Sequence, residues 1–334
     1  MADSRFIKTA QVENFCEHLS DININLLDLP EYQHSYLTRL LDHKKYFITI
    51  YAAILNELMD SIEKQKEDIF LVDYGAGTGL LGLFAKFCGF GKIVQVDISS
   101  ACCLCQQILS QKLNLPVFEN ITGDVEELKK FLPNSPDALV ASDVIEHIYD
   151  LDLFFSTIKG INKDLVTVFT TASNDKNWWK KKRLMKVQRI DEWKGSESEP
   201  SFRTVRGNII KKEIPQITYS ELRLLITRTR GLDKKDILLV CEKYKMDGSI
   251  PSLINHPTNT CDPISGSWTE RILSYNEYYK LFNKHHFSLT IKNGFYNEFR
   301  SGPKGIISKV LNQLIKLTDK KGNYLSPFIF LIGK

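Results

Sequence analysis

Short apolar runs alternate with segments of helical periodicity from residue 69 onwards. Five of these runs predict β-strands, at residues 69–74, 91–99, 116–124, 137–144 and 164–172. Helical patterns fill the gaps, at residues 78–88, 100–112, 125–132 and 151–160. Apolar strands that alternate with helices are typical of a parallel sheet covered on both faces. The pattern therefore predicts a doubly wound α/β domain.

The regions on either side of this alternation have patterns of their own. Apolar residues recur at spacings of three and four through residues 31–65, without Pro or Gly, which predicts helix. Residues 173–270 are less periodic and rich in charge, and two helical stretches at 219–230 and 233–244 stand out. We therefore expect a mainly helical inserted cap there. The alternation resumes near 271 with a helix, an apolar run, the helical segment GIISKVLNQLIKL and a closing apolar run, SPFIFLIGK. The predicted organisation comprises an N-terminal helical segment, a core domain, the insertion and the completion of the sheet, over residues 1–65, 66–172, 173–270 and 271–334.

The segment LVDYGAGTGLLGLFAKF, residues 71–87, predicts a strand, a glycine turn and the start of a helix. Such a turn lets backbone N–H groups face a polar ligand. A dinucleotide fingerprint requires its third glycine five residues after the first, but that position is Leu80 and the glycine arrives earlier, at Gly79. No Lys-Ser or Lys-Thr pair follows, which excludes a Walker-type phosphate loop.

The glycine turn and the segments after it resemble the motifs of class I S-adenosylmethionine (SAM)-dependent methyltransferases. The resemblance covers roughly residues 45–172 and 271–334, and it extends to the ubiquinone-type small-molecule methyltransferases. It implies a mostly parallel seven-stranded sheet with an antiparallel end, SAM as cofactor, and methyl transfer to oxygen or nitrogen of a small or medium-sized acceptor. Asp97 in VQVDIS corresponds to the acid that binds the ribose hydroxyls, and TGDVEEL corresponds to the segment that contacts the adenine. The implied cofactor-binding residues are Asp73, Gly75, Gly77, Gly79, Asp97, Asp124 and Val125.

The segment ASDVIEHIYD follows the fourth predicted strand and offers Asp143, Glu146 and His147 as catalytic candidates. It resembles the V-x-E-H segment of small-molecule members of the family. Three interpretations stay open. His147 or one of the carboxylates is a general base, or the three residues bind a divalent metal, as similar E-x-x-E-H sets do in ubiquinone-type and small-RNA 2′-O-methyltransferases. Alternatively, the three residues only orient the cofactor loop.

The insertion contains a basic stretch with adjacent tryptophans, NWWKKKRLMKVQR, at residues 177–189. It could contact a phosphate backbone, which would suit an RNA methyltransferase, or an anionic sugar or lipid phosphate. The interpretation favoured here is a solvated helix that packs Trp178, Leu184 and Val187 inward. A second segment, INHPTNTCDPISGSW at 254–268, predicts a rigid polar loop. Two interpretations stay open: the loop forms part of an acceptor site, or its Asn and Asp residues only close turns.

Composition and charge discriminate only weakly between a small-molecule acceptor and a nucleic-acid acceptor. The chain of 334 residues is 43% hydrophobic and 25% charged, which is ordinary for a globular protein, and its net charge of +4 does not by itself predict a nucleic-acid binder. The seven cysteines lack a framework spacing, which favours reduced thiols and a cytoplasmic setting. The three at 102, 103 and 105 are expected to be buried as small apolar residues.

The first residues do not resemble a signal peptide, and no apolar run is long enough to span a membrane. A SAM-binding module without catalysis is a further hypothesis.

Overall fold

A computed structural model of the protein describes residues 6–132, 135–197 and 199–334. The first five residues of the predicted N-terminal segment therefore lie outside the described residues. The chain divides into two compact units. The sheet unit consists of Met1–Ile145, Asp152–Thr171 and Asn276–Lys334, and the inserted unit consists of Glu146–Leu151 and Ala172–Tyr275. The four-segment organisation predicted from the sequence stays a prediction.

A seven-stranded sheet lies at the centre of the sheet unit, in the order β3-β2-β1-β4-β5-β7-β6. The strands are β1 Phe70–Tyr74, β2 Lys92–Asp97, β3 Glu119–Thr122, β4 Ala138–Ser142, β5 Val166–Thr171, β6 Leu289–Asn293 and β7 Ile329–Gly333. All neighbours pair in parallel except β7, which is antiparallel to both β5 and β6. The predicted mostly parallel seven-stranded α/β fold is thus confirmed.

Thirteen α-helices occur in the described part of the chain. They are α1 Thr9–Ser20, α2 Glu31–Asp42, α3 Lys44–Met59, α4 Leu80–Phe87, α5 Ser100–Leu113, α6 Val125–Phe131, α7 Leu151–Ile161, α8 Trp178–Trp193, α9 Phe202–Glu213, α10 Tyr219–Arg228, α11 Lys234–Asp247, α12 Tyr275–Lys284 and α13 Pro303–Leu317. The prediction of helix throughout residues 31–65 is wrong at His43, where φ of −124° and ψ of 24° separate α2 from α3, and beyond Met59, where α3 ends. Helix α9 has no counterpart among the predicted elements.

Aromatic side chains pack two layers of helices against the sheet. In one layer the ring of Phe15 on α1 lies 5.2 Å from that of Phe84 on α4. In the other, Phe155 on α7 lies 4.6 Å from Phe282 on α12, and its ring also contacts Phe169 of β5. All five rings are buried, so the burial of their large apolar area stabilises the sheet unit.

The inserted unit is built from α8, α9, α10 and α11 around a small apolar core that includes Ile210, Leu225 and Ile237. A buried ion pair lies beside this core, where the Arg206 guanidinium donates to both carboxylate oxygens of Glu192. The hydroxyl of Thr260 donates to the same carboxylate at 2.8 Å.

The polar loop at 254–268 is largely a structural part of the inserted unit. Its central residues, Thr258 to Cys261, are buried, and Gln188 of α8 donates to the side-chain oxygen of Asn259 at 3.0 Å. The ring nitrogen Nδ1 of His256 accepts from the backbone amide of Asn259. The role of this loop in an acceptor site stays a prediction.

The orientation of α8 differs from the one expected. Leu184 is buried as predicted. Trp178 is 57% exposed and Val187 is 38% exposed, so the prediction that these two residues pack inward is wrong. The polar side chains of Gln188 and Glu192 occupy the buried face instead, because each has a hydrogen-bond partner there.

Two further expectations concern the membrane and the thiols. No helix in the described ranges is both long and apolar enough to cross a bilayer. All seven cysteines are free thiols, and Cys103 and Cys105 are buried as expected, whereas Cys102 is only partly buried.

Candidate cofactor site

The glycine turn after β1 requires backbone conformations that other residues rarely adopt. Gly75, Gly77 and Gly79 have φ values of +66°, +54° and +83°, in the left-handed region. At Gly75 space is a second requirement, because an added Cβ would lie 2.6 Å from a methyl carbon of Val144. The turn therefore lies close against the segment that follows β4, and both features explain why glycine occupies this position.

Asp97, at the end of β2, is hydrogen-bonded to the glycine turn. One carboxylate oxygen accepts from the Gly77 amide at 2.8 Å, and the other accepts from the Ser99 amide at 2.9 Å. Each carboxylate oxygen has two acceptor positions, so further donors can still bind. The chain thus places a partly exposed carboxylate directly beside the turn.

Asp73 is fully buried behind the glycine turn rather than at its surface. Its carboxylate accepts from the Gly82 amide at 2.8 Å, in the first turn of α4, whose N-cap Gly79 has no side chain to serve that purpose. Burial raises the pKa of Asp73 to about 7, although the hydrogen bonds from Gly82 and Gln95 lower it. Its position supports the turn and the helix start.

Two buried glutamines hold the carbonyl groups of the turn, and the sequence motifs did not include them. Gln95 of β2 donates to the Gly79 carbonyl oxygen at 2.7 Å, and Gln106 of α5 donates to the Gly77 carbonyl oxygen at 3.0 Å. Both side chains are fully buried. The sequence contains one indication of this role for Gln95. It is the only polar residue in the apolar run KIVQV after the first lysine.

The adenine-contact candidates lie at the start of α6. Asp124 is exposed and caps this helix by accepting from the amides of Glu126 and Glu127. Val125 is buried beside it. Burial and the charge of Asp124 raise the pKa of Tyr74, at the end of β1. A buried apolar side chain and an exposed carboxylate therefore lie next to each other at the carboxyl edge of the sheet.

The loop after β4 contains Asp143, which has an uncommon backbone conformation. Its φ is +53°, and its amide donates to the Thr170 carbonyl oxygen at 3.0 Å. Tyr36 of α2 lies near both this loop and the glycine turn. Burial raises the pKa of Tyr36 and the charge of Asp143 raises it further, and an added Cβ on Gly77 would lie 3.6 Å from the Tyr36 ring. Left-handed non-glycine residues cluster at functional sites, which makes this loop a candidate.

Residues 72–166 match the family described as "Methyltransferase domain". The chain carries a methyltransferase domain. Its seven-stranded sheet with the antiparallel β7 is that of the class I SAM-dependent methyltransferases, so the family resemblance inferred from the motifs is confirmed at this level. The narrower resemblance to ubiquinone-type enzymes stays a prediction. No curated protein sequence matches the chain significantly.

Solved methyltransferase structures are similar to this chain only distantly. The precorrin-6y C5,15-methyltransferase from Geobacter metallireducens is 15% identical with a TM-score of 0.32, over 42% of this chain and 70% of that one. PKMT2 from Rickettsia typhi, solved with AdoHcy, is 13% identical with a TM-score of 0.41, over 84% and 51%. Mycolic acid cyclopropane synthase, solved with SAH, is 14% identical with a TM-score of 0.41, over 97% and 96%. At these values the likenesses identify no acceptor for the methyltransferase.

The catalytic candidates divide between the two units of the methyltransferase. Asp143 belongs to the sheet unit, whereas Glu146 and His147 belong to the inserted unit. Glu146 is buried, and one carboxylate oxygen accepts from the Ala172 amide at 3.2 Å. Its backbone carbonyl accepts from the Arg271 amide. These contacts fix the loop that contains Glu146 against the ends of the insertion.

The protonation pattern of His147 follows from its hydrogen bond. Nδ1 lies 2.8 Å from the carbonyl oxygen of Trp268, which can only accept, so Nδ1 carries the proton. The amide of Trp268 in turn donates to the His147 carbonyl oxygen. In the neutral ring Nε2 therefore holds the lone pair, the state that a general base requires.

The metal interpretation finds no ligand set in the part of the chain that the structure describes. No group of three or more His, Cys, Asp or Glu side chains is placed there to hold a metal ion. Asp143, Glu146 and His147 thus do not form such a group, and the divalent metal is not supported as a cofactor.

Proposed function

We propose that this methyltransferase transfers the methyl group of SAM to an oxygen or nitrogen atom of a small or medium-sized acceptor. The observation that carries the proposal is the hydrogen bond between the Asp97 carboxylate and the Gly77 amide, inside a turn of three left-handed glycines. It supports a site in which main-chain amides and one carboxylate bind an adenosyl group together.

The residues at the carboxyl edge of the sheet fit SAM in chemistry. The free acceptor positions of Asp97 suit a ribose diol, and glycine at 77 leaves room for a ligand to approach the main chain. Val125 offers an apolar contact for a base, with Asp124 beside it as an acceptor. When bound, SAM supplies an electrophilic methyl group on a sulfonium sulfur. Asp73, buried behind the turn, would hold the turn in place without touching the ligand.

The acceptor must lose a proton if it is a hydroxyl or an ammonium group. His147 is the proposed general base, because the carbonyl of Trp268 fixes the ring tautomer that leaves Nε2 able to accept a proton. Glu146 would position this segment through its bond to the Ala172 amide. Asp143, held in its left-handed conformation, is proposed to orient the loop after β4.

Calorimetry with SAM and with S-adenosylhomocysteine tests the cofactor site directly. The wild-type chain should bind both, and Asp97→Ala should weaken binding at least tenfold, because a charge-assisted interaction is lost. Asp164→Ala, at an exposed position after α7, is the matched control and should bind as the wild type does. Absence of binding to the folded wild-type chain would refute the proposal.

The acceptor can be identified by a labelled-methyl transfer assay on fractionated lysate of the source cell. Transfer to a small-molecule fraction would support the proposal, whereas binding without transfer to any fraction would favour a non-catalytic SAM-binding module. Running the assay with and without EDTA tests whether the transfer requires a divalent metal.

An RNA acceptor is the second candidate, and α8 is the observation that favours it. Trp179 is highly exposed on this helix, with exposed Lys182, Arg183 and Lys186 on the same outward side. Aromatic rings and cations in this arrangement suit a single-stranded nucleic acid. RNA binding that weakens steeply with salt, and labelled transfer to an RNA fraction, would select this candidate over a small acceptor.

A further inference from the structure

Helix α13 presents its most apolar side to solvent. Ile306 is 66% exposed and Leu317 is 82% exposed, and the other large aliphatic residues on this side are exposed as well. They are Ile307, Val310 and Leu314. Spacings of three, four and seven place these five side chains in one continuous stripe along the helix. Contiguous exposed apolar surface of this kind marks an interaction site.

The packed side of α13 is, by contrast, mostly small and polar. Its buried residues are Gly305, Ser308, Asn312 and Ile315. Asn312 accepts from the Tyr296 amide and donates to the Tyr296 carbonyl oxygen, and an added Cβ at Gly305 would clash with the carbonyl of Arg300. Close backbone packing and hydrogen bonds therefore hold the helix on the sheet unit. The residues of the aliphatic stripe are not among the buried residues of this attachment.

Positive charge surrounds the stripe. Exposed cations flank it on the helix and in the segments before and after it, namely Arg300, Lys304, Lys309, Lys316, Lys320 and Lys321. Between residues 298 and 321 the only acids are Glu298, which accepts from Asn312, and exposed Asp319. An amphipathic helix with aliphatic residues on one side and lysines along its borders fits the interface of an anionic membrane.

The length and charge of the helix discriminate among possible occupants. Its 15 residues extend about 22 Å, too short to span a bilayer, so it would lie in the membrane plane. A second copy of the chain, docked face to face, would bring Lys309 and Lys316 of both copies together, which like-charge repulsion opposes. A nucleic acid would leave the aliphatic stripe without an apolar partner.

We propose that α13 binds the surface of an anionic lipid bilayer, with its aliphatic stripe inserted among the acyl chains near the headgroups and its lysines on the lipid phosphates. This inference is independent of the proposed reaction, because the helix lies outside the residues assigned to the cofactor. It places the methyltransferase at a membrane surface.

Sedimentation with vesicles tests the proposal on the full chain. Phosphatidylcholine vesicles with 30% phosphatidylglycerol should bind the wild-type protein, and pure phosphatidylcholine vesicles should bind it at least tenfold more weakly. Both Ile306→Ser/Leu317→Ser and Lys309→Glu/Lys316→Glu should reduce binding to the anionic vesicles at least tenfold. All four positions are exposed, so the fold should be retained, which circular dichroism and binding of S-adenosylhomocysteine would verify.

Helix α11 supplies matched controls. Leu239→Ser/Met246→Ser and Lys235→Glu/Lys243→Glu change exposed residues of the same types on another helix and should bind vesicles as the wild type does. Failure of the wild-type protein to bind anionic vesicles would overturn the proposal, as would equal binding by the α13 variants. A wild-type dimer in sedimentation equilibrium that Ile306→Ser/Leu317→Ser converts to monomer would assign the stripe to a second copy and also overturn it.

Discussion

The side-chain amide of Gln106 donates to the carbonyl oxygen of Gly77 at 3.0 Å, so a buried residue of α5 fixes the middle of the glycine turn. This contact comes from outside the recognised motif. It indicates that the shape of the glycine turn depends on a buried residue of another helix, because the turn has few side chains of its own to hold it.

Replacement of Gln106 should weaken cofactor binding. In Gln106→Leu the Gly77 carbonyl loses its buried donor, so we expect the dissociation constant for S-adenosylhomocysteine to rise about tenfold, the equivalent of roughly 1.4 kcal/mol. Calorimetry measures this effect. The adjacent Gln107 is exposed on the same helix, and Gln107→Leu should leave the constant unchanged. Equal affinities of the two folded variants would show that Gln106 does not position the turn.

The buried carboxyl of Asp73 should make stability depend on pH. Its pKa is about 7 in the folded chain, above its ordinary value of 3.8, so the folded state binds the proton more tightly than the unfolded state does. This contribution to the free energy of unfolding is therefore largest below about pH 4 and declines as pH rises to about 7, by roughly 4 kcal/mol at most. Asp73→Asn should flatten the dependence, as measured by urea unfolding between pH 4 and pH 8.

Asp152 provides a control of opposite sign for that experiment. Hydrogen bonds from Lys284 and His285 lower the pKa of Asp152, so its contribution is present at neutral pH and is lost on acidification. Asp152→Asn should remove a small stabilisation above its pKa, since the pair is exposed. A decline between pH 4 and pH 7 that persists unchanged in Asp73→Asn would contradict the assignment to Asp73.

Loss of His147 should affect turnover rather than cofactor binding. With the acceptor found by labelled transfer, we expect His147→Ala to lower kcat by about 10²-fold or more, because the proton acceptor is removed. Affinity for S-adenosylhomocysteine should stay within twofold of the wild type. His18→Ala alters an exposed histidine of α1 and is the control. An unchanged kcat in His147→Ala would contradict the prediction. It would show that another group accepts the proton, or that the acceptor loses no proton in the reaction.

Removal of one partner of the buried ion pair in the inserted unit should lower the free energy of unfolding strongly. Arg206→Met leaves the Glu192 carboxylate buried without its cation, which should destabilise the unit by about 3–5 kcal/mol. Adding Glu192→Gln should recover part of that loss. Lys245→Met breaks an exposed pair with Glu213 in the same unit and should change urea unfolding little. Similar losses in the two single variants would show that burial does not govern the cost.

The strands and the glycine turn were predictable because their signals are local. Buried parallel strands are apolar throughout, and left-handed turns select glycine, so β1 to β5 and Gly75, Gly77 and Gly79 are all visible in the sequence. The antiparallel end of the sheet followed from the family resemblance rather than from periodicity. The motif acids Asp97 and Asp124 are placed at strand or helix ends as the pattern suggests, though their ligand contacts stay predictions.

Other features depended on contacts between distant segments and could not be predicted in this way. Gln188 and Glu192 lie on the buried face of α8 because Asn259 and Arg206 supply partners, and this turns Trp178 and Val187 outward. The break between α2 and α3 at His43 could not be predicted, because no Pro or Gly occurs there in the sequence. Glu146 likewise belongs to the inserted unit, where it accepts hydrogen bonds from the amides of Ala172 and Arg271, far along the chain.

The ends of the inserted unit are paired with each other, since Asn174 forms a bridge with Leu273 and Tyr275 donates to the Asn174 side chain. Strand β5 ends just before this bridge, and its partner β7 begins only at Ile329. The inserted segment between them is about a hundred residues long. Once its two ends are paired, it counts as only a short loop in the connection between β5 and β7. The entropic cost of joining β5 to β7 falls by an amount on the order of 1 kcal/mol, so the order in which the two units form should set how quickly the sheet is completed.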